Sequence, residues 1–469
     1  MTLARDLAWQ NLDLVYRSSI AHQFARYGLG LSYDMLPENV VHQAKRSLLD
    51  SLGCAIGAYD APGRAICEDL ARELGGPREA TLFGSGRRTS ALNATFVNSF
   101  LVRYLDYNDM GGGIHSSDAI AAVLAVAERQ KAGGREFLTA MVISYELGAR
   151  FNEANITSSF EEKGWTADVR GGLNMPPALG KLMGLNEEQI ANAIGICASR
   201  SLPLGILDAH REENTMSKDI RFGWVAYDAI LACMLARRGF TGPVRVVEGD
   251  AGLLKSMAKG DMDLERMTNF SGWRILNTNH KVLCANGSTI AHILATLAIV
   301  KENNLKPGDI ASVQIKASTR EAMHTTTPAK KWPRNGESAD HSAFYGNALA
   351  IKERAFGPDS FEPGKFTDPV VLDLIEKITV EADPTLPRRG GGSIITTKDG
   401  RRFEKRIVSP HGVGDDPMSD AELEDKFKEM AARRLPRAQM RNLIEMVWNV
   451  DKLDDAGKLA ALMVFPSRK

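Results

Sequence analysis

Apolar residues recur at helical spacing before residue 279 and again after residue 411. Val40, Ala44 and Leu48 repeat at four-residue intervals, which is the spacing of one buried helix face. Asn186-Glu-Glu-Gln189 and Ser419-Asp-Ala-Glu422 are capping-box patterns, and such patterns mark helix starts. We therefore predict helix after helix in both segments.

The pattern changes between residues 279 and 411. Residues 310–318 alternate apolar and polar positions as a strand does, and residues 393–408 read as a hairpin turned by Asp399-Gly400. Residues 370–378 repeat at helical spacing, but helices and strands do not alternate as βαβ units require. We predict a mainly α protein in which a large all-helical domain is interrupted by a smaller α+β domain. The predicted segments are residues 1–278, 279–411 and 412–469.

Composition narrows the class of protein. The 469 residues include 58 basic and 58 acidic side chains, and no basic stripe with interleaved aromatic residues occurs. The N-terminus carries early charges without a signal-peptide core, and no apolar run is long enough to span a bilayer. Five cysteines without CxxC spacing read as reduced core residues. We expect a soluble, cytoplasmic protein that binds neither nucleic acid nor a membrane.

A polar cluster between two apolar helical runs holds the candidate chemistry. Arg103-Tyr-Leu-Asp106-Tyr-Asn108-Asp109 precedes three glycines, and His115-Ser-Ser-Asp118 follows them. Ser117 or Asp118 can cap the second helix, which would put His115 where the helix N-terminus favours an anionic substrate. Acid and imidazole around a flexible turn suit proton transfer on a carboxylic acid. Asp and Asn are also common caps, so a scaffolding role stays open.

Asp106 and His115 are the first predicted acid/base pair, and Lys218 is the third predicted catalytic residue. Lys218 begins a helix with an apolar face, where a cation can pair with a substrate carboxylate. Arg221 shares that face three residues later and can act as a bidentate clamp. The alternative for Lys218 is an exposed lysine, the usual fate of this residue type.

Metal and cofactor chemistry is not predicted. The chain has no clustered thiolates that could hold an iron–sulfur cluster. Six further histidines show no paired metal-ligand spacing: His22, His42, His210, His292, His324 and His411. We therefore expect an enzyme that uses side chains only, with no metal and no cofactor.

Several segments, in order along nearly the whole chain, resemble the MmgE/PrpD family. That family includes 2-methylcitrate dehydratase, cis-aconitate decarboxylase and iminodisuccinate epimerase. The matching segments are Leu48-Leu-Asp-Ser-Leu-Gly-Cys54, Arg103-Tyr-Leu-Asp-Tyr-Asn-Asp109, His115-Ser-Ser-Asp118, Ala121-Ala-Val-Leu-Ala-Val-Ala-Glu128, Lys163-Gly-Trp165, Gly180-Lys-Leu-Met-Gly-Leu-Asn-Glu-Glu-Gln189, Ser217-Lys218 before Gly239-Phe-Thr-Gly-Pro243, and Glu337-Ser-Ala-Asp-His341-Ser-Ala-Phe-Tyr345. Independent motifs in the same order are far more specific than any one of them.

The resemblance implies a fold, a function and a partner. The α+β segment is expected to act as a lid over the site, and the chain is expected to form a homodimer through its helical domain. The implied activity is a cofactor-free lyase on a small di- or tricarboxylic acid, by default a 2-methylcitrate dehydratase-like hydro-lyase. An epimerase or isomerase and a decarboxylase are alternatives on the same fold. A non-catalytic carboxylate-binding protein is a further alternative, since fold alone does not imply activity.

The resemblance also assigns site residues and shows two departures. Lys218 matches the family's active-site lysine, and Lys281 matches a lysine that is followed here by Cys284 and Asn286 rather than the usual proline and histidine or glutamate. After Trp165 the family carries a histidine, but this chain has Thr166-Ala167-Asp168. Asp168 replaces it, or the reaction needs fewer proton transfers, or activity is lost. The predicted substrate-binding residues are Asn108, Asp109, Asp168, Arg221 and Lys281.

Overall fold

Helices fill the first part of the chain, as the apolar spacing predicts. The structure is a computed structural model that describes residues 2–111, 113–208 and 212–466, so His210 lies outside the described residues. The helices are α1 (Thr2–Arg17), α2 (Ile20–Gly30), α3 (Glu38–Gly57), α4 (Pro62–Leu74), α5 (Ala91–Arg103), α6 (Ile120–Gln130), α7 (Gly134–Glu153), α8 (Gly171–Leu182), α9 (Glu187–Ala198), α10 (Ser217–Ala236), α11 (Leu253–Ser256) and α12 (Leu264–Met267). A small antiparallel pair, β1 (Ala80–Thr81) and β2 (Arg88–Thr89), precedes α5.

A mixed region follows. It contains a four-stranded sheet of order β4-β3-β5-β6, in which β3 runs parallel to β4 and antiparallel to β5. Its elements are α13 (Ile290–Glu302), β3 (Ile310–Ala317), α14 (Thr319–Thr325), α15 (Pro328–Lys331), α16 (Gly336–Ala339), α17 (Ala343–Glu353), α18 (Pro369–Glu376), β4 (Ile378–Ala382), β5 (Gly391–Thr397) and β6 (Arg402–Ile407). The predicted strand at 310 and the predicted hairpin are confirmed.

One element of this region differs from the prediction. The helical spacing over 370–378 predicted a single helix, but α18 ends at Glu376 and Ile378 begins β4. Ile378 pairs with Val313 in the parallel ladder, so tertiary pairing ends the helix earlier than its own sequence indicates. β5 is the buried strand of the sheet, with α13 packed against it.

The last helices return to the helical part of the molecule. They are α19 (Asp420–Ala431), α20 (Arg437–Trp448) and α21 (Gly457–Leu462). The predicted capping box at Ser419 is confirmed, and so is the one at Asn186. α19 lies against α3 so closely that a Cβ on Gly53 would meet Phe427 and Met430. The mainly α fold with a smaller α+β region is therefore confirmed, while the boundaries at 279 and 411 stay a prediction.

All five cysteines are buried and free, as predicted for core residues. Among the described residues, no helix combines the length and the apolar character that crossing a membrane requires.

Candidate active site

The predicted polar cluster lies in the loop that joins α5 to α6. α5 ends at Arg103, and Asp106 then adopts a left-handed backbone conformation with φ of 44°. A non-glycine residue in this region is strained, and such strain concentrates at functional sites. The turn brings the Asp106 carboxylate back to Arg103, whose Nη1 donates to Oδ1 at 2.6 Å.

Asp106 is a fully buried anion held by cations. Lys281 Nζ donates to both the carbonyl and the Oδ1 of Asp106, at 2.6 Å each. Burial alone would raise the pKa of the carboxyl, but Arg103, Lys281 and Lys218 together hold that pKa well below its ordinary value. Asp106 Oδ2 is buried and accepts no hydrogen bond from the described residues. Asp106 is thus a permanent carboxylate rather than a group whose pKa suits proton exchange at neutral pH.

His115 is a neutral imidazole with one nitrogen ready to accept a proton. Its Nδ1 lies 2.6 Å from the carbonyl oxygen of Asp109, and because a carbonyl can only accept, Nδ1 carries the proton. Nε2 therefore keeps its lone pair, 3.6 Å from Asp106 Oδ1. Burial, with the cations of Arg103 and Lys281 nearby, lowers the pKa of His115 well below its ordinary value. The structure thus brings Asp106 and His115 together.

The capping role predicted for Ser117 and Asp118 is wrong. His115 is the N-cap of a 3-10 turn that leads into α6, and no side chain caps either element. The Ser117 hydroxyl donates to Asp109 at 2.5 Å instead, and the Asp118 carboxylate accepts from Asn108 at 3.0 Å. These polar side chains therefore stabilise the loop and do not cap α6.

Asn108 and Asp109 lie behind the loop, fully buried. Asn108 Nδ2 donates to Ser117 and Asp118, and Asp109 accepts from Ser117 and from the Tyr145 hydroxyl at 2.8 Å. Burial raises the pKa of Asp109 to about 6, although its hydrogen bonds oppose the shift. Substrate binding by these two residues stays a prediction, and their contacts favour a role in fixing His115.

Asp168 and Arg221 form part of a second buried chain of charges. Asp168 accepts from Arg170 at 2.5 Å and from Arg221 Nε, and Arg221 Nη1 donates to Asp208 at 2.9 Å. Arg170 also donates to the carbonyl oxygen of His115 at 2.6 Å. Asp168 therefore helps to fix the histidine loop through Arg170, and both Asp168 and Arg221 line the cleft described below.

Lys218 is fully buried at the start of α10, so it is not the exposed lysine of the alternative. Its Nζ lies 2.5 Å from Asp340 Oδ2, and Asp340 Oδ1 accepts from His341 Nδ1. Burial would lower the pKa of Lys218, but Asp340 and Asp219 raise it above the ordinary value. Ser342, two residues later, caps the N-terminus of α17. Direct contact of Lys218 with a substrate stays a prediction.

A cleft of about 140 Å³ separates these loops from the α+β region. Arg103, His115 and Lys281 line it around the α5–α6 loop, and α14 and the segment before β5 line the other side. Among the described lining residues, seven are arginine or lysine and four are aspartate or glutamate. A protein with equal acidic and basic totals therefore concentrates positive charge in this cleft.

Three arginines on the α+β side carry that excess: Arg320, Arg388 and Arg389. None of their guanidinium groups forms an ion pair with a described carboxylate, whereas Arg103, Arg170 and Arg221 each do. Burial, with Arg388 beside it, lowers the pKa of Arg389 to about 10. Glu321 partly offsets this repulsion, but cations without a carboxylate in direct contact favour an anionic ligand.

Sequence reasoning missed several of these residues. Arg103 lies three residues before Asp106 in the same motif, and this spacing could have predicted their ion pair. Arg388-Arg389 directly precedes three glycines, a second signal that was not used. Arg170 and Asp208 gave no such signal, because only the tertiary fold places them beside His115 and Arg221.

One cluster has the donor set of a cation site. Ligand atoms of Asp106, Asp340 and His341 lie within 4.8 Å of one another. Lys281 already binds Asp106, and Lys218 already binds Asp340, so a metal ion would have to displace both ammonium groups. The charge of these carboxylates is already balanced by the chain's own cations, and no step is assigned to a metal.

Comparison with known proteins places this geometry in a family. Residues 22–265 match the MmgE/PrpD N-terminal domain, and residues 284–452 match the MmgE/PrpD C-terminal domain. The chain belongs to the MmgE/PrpD family. The family predicted from the sequence motifs is therefore confirmed.

Relatives with curated names carry two activities. The chain is 24% identical to the cis-aconitate decarboxylase of Homo sapiens, over 96% of this chain and 95% of that protein. It is 23% identical to the cis-aconitate decarboxylase-like protein oryM of Aspergillus oryzae, over 91% and 94%. It is 26% identical to the alkylcitrate dehydratase phiI of a fungal species, over 85% and 84%. The chain is thus similar along its length to enzymes named for tricarboxylic acids.

Proposed function

We propose that this protein is a cofactor-free lyase acting on a small tricarboxylic acid, by default a dehydratase of the 2-methylcitrate type. The observation that carries the proposal is the cleft itself. It sets the neutral His115 opposite three arginines whose guanidinium groups form no ion pair with a described carboxylate. Each guanidinium can bind a carboxylate through two hydrogen bonds, so three of them match a polyanionic substrate.

His115 is the base in the proposed reaction. Its Nε2 lone pair removes a proton from the carbon next to the leaving hydroxyl, and the electron pair of that C–H bond forms the double bond as the C–O bond breaks. The imidazolium formed is stabilised by Asp106 Oδ1 at 3.6 Å. Asp106 is itself fixed by Arg103 and Lys281, so its charge is in place before the substrate arrives.

Decarboxylation is the second candidate, and the named decarboxylases among the relatives support it. Dehydration begins with removal of a carbon-bound proton, a step that the lowered pKa of His115 suits, so it stays the first candidate. Epimerisation, in which a base also removes a carbon-bound proton, is the next alternative. A protein that binds carboxylates without turnover is the remaining alternative.

A proton NMR screen in deuterated water tests the proposal. An alkylcitrate, cis-aconitate and a set of dicarboxylates are each incubated with the protein, because one spectrum reports water loss, carbon dioxide loss and proton exchange. Loss of water from the alkylcitrate is the expected result. Loss of carbon dioxide from cis-aconitate, without loss of water from the alkylcitrate, would instead assign a decarboxylase. Thermal stabilisation by these acids without any conversion would assign a binding protein.

We also propose that the protein is a homodimer built through its helical part. Trp224 on α10 is 49% exposed and Phe240 is 59% exposed, although large aromatic side chains are usually covered. A symmetric pairing would cover the same patch on both copies. Sedimentation at low micromolar concentration is expected to give a dimer, and a clean monomer would contradict this proposal.

A further inference from the structure

The segment that follows Trp165 supplies no second proton-transfer group. The Thr166 hydroxyl accepts a hydrogen bond from the backbone N–H of Asp168, and the Asp168 carboxylate forms ion pairs with Arg170 and Arg221. Burial would raise the pKa of Asp168, but Arg221 and Arg170 hold it below its ordinary value. A carboxyl that stays ionised cannot protonate a leaving hydroxyl, so the acid must come from another element.

We propose that His324, from the α+β side of the cleft, is this acid. His324 lies on α14 and is half-buried, and it lines the same cleft as His115. Arg320 precedes it by four residues, so both side chains project from one face of α14, and both line the cleft. One face of this short helix thus offers a carboxylate-binding cation and an imidazole to the same ligand.

A fixed neighbour holds the His324 ring. The rings of His324 and His341 have centroids 5.2 Å apart and an interplanar angle of 58°. His341 is fully buried and is itself anchored by Asp340 and by Asn286, whose Nδ2 lies 2.8 Å from His341 Nε2. Because His341 cannot move without breaking these bonds, it acts as a positioning residue for His324.

The inference rests on the proposed dehydration and completes it. His115 takes the carbon-bound proton, and the C–O electron pair leaves with the hydroxyl oxygen. Protonated His324 gives its proton to that oxygen, so the leaving group departs as water rather than as hydroxide. His115 then returns a proton to solvent and His324 takes one up, so the net products are the alkene and one water molecule. Base and acid act from opposite sides of the cleft.

His324→Gln tests the acid directly through the leaving group. With an alkylcitrate, whose hydroxyl must be protonated, kcat is expected to fall by about 10²–10⁴-fold. With the analogue that carries fluoride in place of this hydroxyl, kcat is expected to stay within a few-fold of wild type, because fluoride leaves without a proton. A residue with a purely structural role would affect both substrates alike.

Matched variants separate chemistry from folding. Met323→Gln changes the adjacent side chain, which is 64% exposed, and is expected to behave as wild type with both substrates. His324→Asn serves if the glutamine variant melts at a lower temperature. Equal losses on the two substrates, or no loss on either, would overturn the role of His324. No turnover by the wild-type protein on any tested acid would instead overturn the proposed function, and the inference with it.

Discussion

The two walls of the cleft carry their charges differently. On the side of the α5–α6 loop, Arg103 and Lys281 bind Asp106, and Arg170 and Arg221 bind Asp168, all of them buried. On the opposite side, the guanidinium groups of Arg320, Arg388 and Arg389 form no ion pair with a described carboxylate. The first is called the paired wall and the second the unpaired wall.

This difference assigns the paired wall to positioning His115 and the unpaired wall to binding the substrate. Removing one partner from a buried ion pair leaves an uncompensated charge, so the paired wall resists change and holds His115 in one geometry. An unpaired guanidinium at the cleft loses little when no ligand is present and gains charge-assisted hydrogen bonds when a carboxylate arrives. Substitutions in the first wall should therefore cost stability, and substitutions in the second should cost substrate affinity.

Asp106→Asn should give the largest effect. Arg103 and Lys281 would lose their common carboxylate in a fully buried site, so the free energy of unfolding should fall by about 3–5 kcal/mol. Activity should fall to background, since the imidazolium of His115 would lose its counter-ion. Urea denaturation and the NMR assay measure the two effects. Asp69→Asn, which breaks an exposed pair with Arg72, should change stability by at most about 0.5 kcal/mol.

Lys218→Met tests whether Lys218 stabilises the fold, as the paired wall does, or binds the substrate, as the unpaired wall does. Methionine keeps the apolar stem and removes the charge, so Asp340 would lose its buried ammonium partner and stability should fall by about 3 kcal/mol. The sequence-based hypothesis, that Lys218 holds a substrate carboxylate, predicts instead a KM raised about ten- to a hundredfold with stability unchanged. Denaturation and kinetics on the same variant decide between them. An unaltered protein by both measures would contradict both roles.

His115→Gln should lower kcat by at least about a hundredfold, because general base catalysis commonly contributes 10²–10⁴-fold. Its melting temperature should stay close to wild type, since glutamine can still donate to the Asp109 carbonyl. His411→Gln is the control, because His411 is exposed and pairs only with surface carboxylates. Normal turnover by His115→Gln would remove the proposed base.

Arg389→Gln tests the unpaired wall. One lost charge-assisted contact should raise KM about ten- to a hundredfold, which corresponds to roughly 1.5–3 kcal/mol. The free energy of unfolding should not fall, because no ion pair is broken. Arg401→Gln, a surface arginine of the hairpin that pairs with Asp399, should leave KM unchanged. If Arg389→Gln destabilises the fold without changing KM, the distinction between the walls is wrong.

The sequence predicts the paired wall better than the unpaired one. Asp106 and His115 lie nine residues apart around one turn, so local spacing is enough to suggest that they converge. Arg320 and Arg388 are far apart in the chain and meet only because β3 and β5 are neighbours in the sheet. No local pattern carries that information.

The fold shows the same limit. Capping boxes and apolar spacing predict α9 and α19, because a helix is stabilised largely by contacts between near neighbours in sequence. β4 was missed because its partner, β3, lies more than sixty residues earlier. The helix cap predicted for Ser117 or Asp118 is wrong because Asp118 binds Asn108 and, 52 residues away in the sequence, Arg170 instead.

The smallest expected effect is the pH dependence of activity and stability that the paired wall gives to His115. Burial among the cations Arg103 and Lys281 lowers the pKa of His115, so the base should stay neutral at pH 6, where an ordinary imidazole is roughly three-quarters protonated. Protonation of His115 should therefore cause no loss of kcat/KM as the pH falls from 8 to 6. The unfolded chain, with an ordinary pKa of about 6.5, binds the proton first, so wild type should lose stability relative to His115→Gln as pH falls below that value. A fall of kcat/KM on acidification with a midpoint near pH 6.5, without the matching change in stability, would mean that protonation of a group other than His115 abolishes activity.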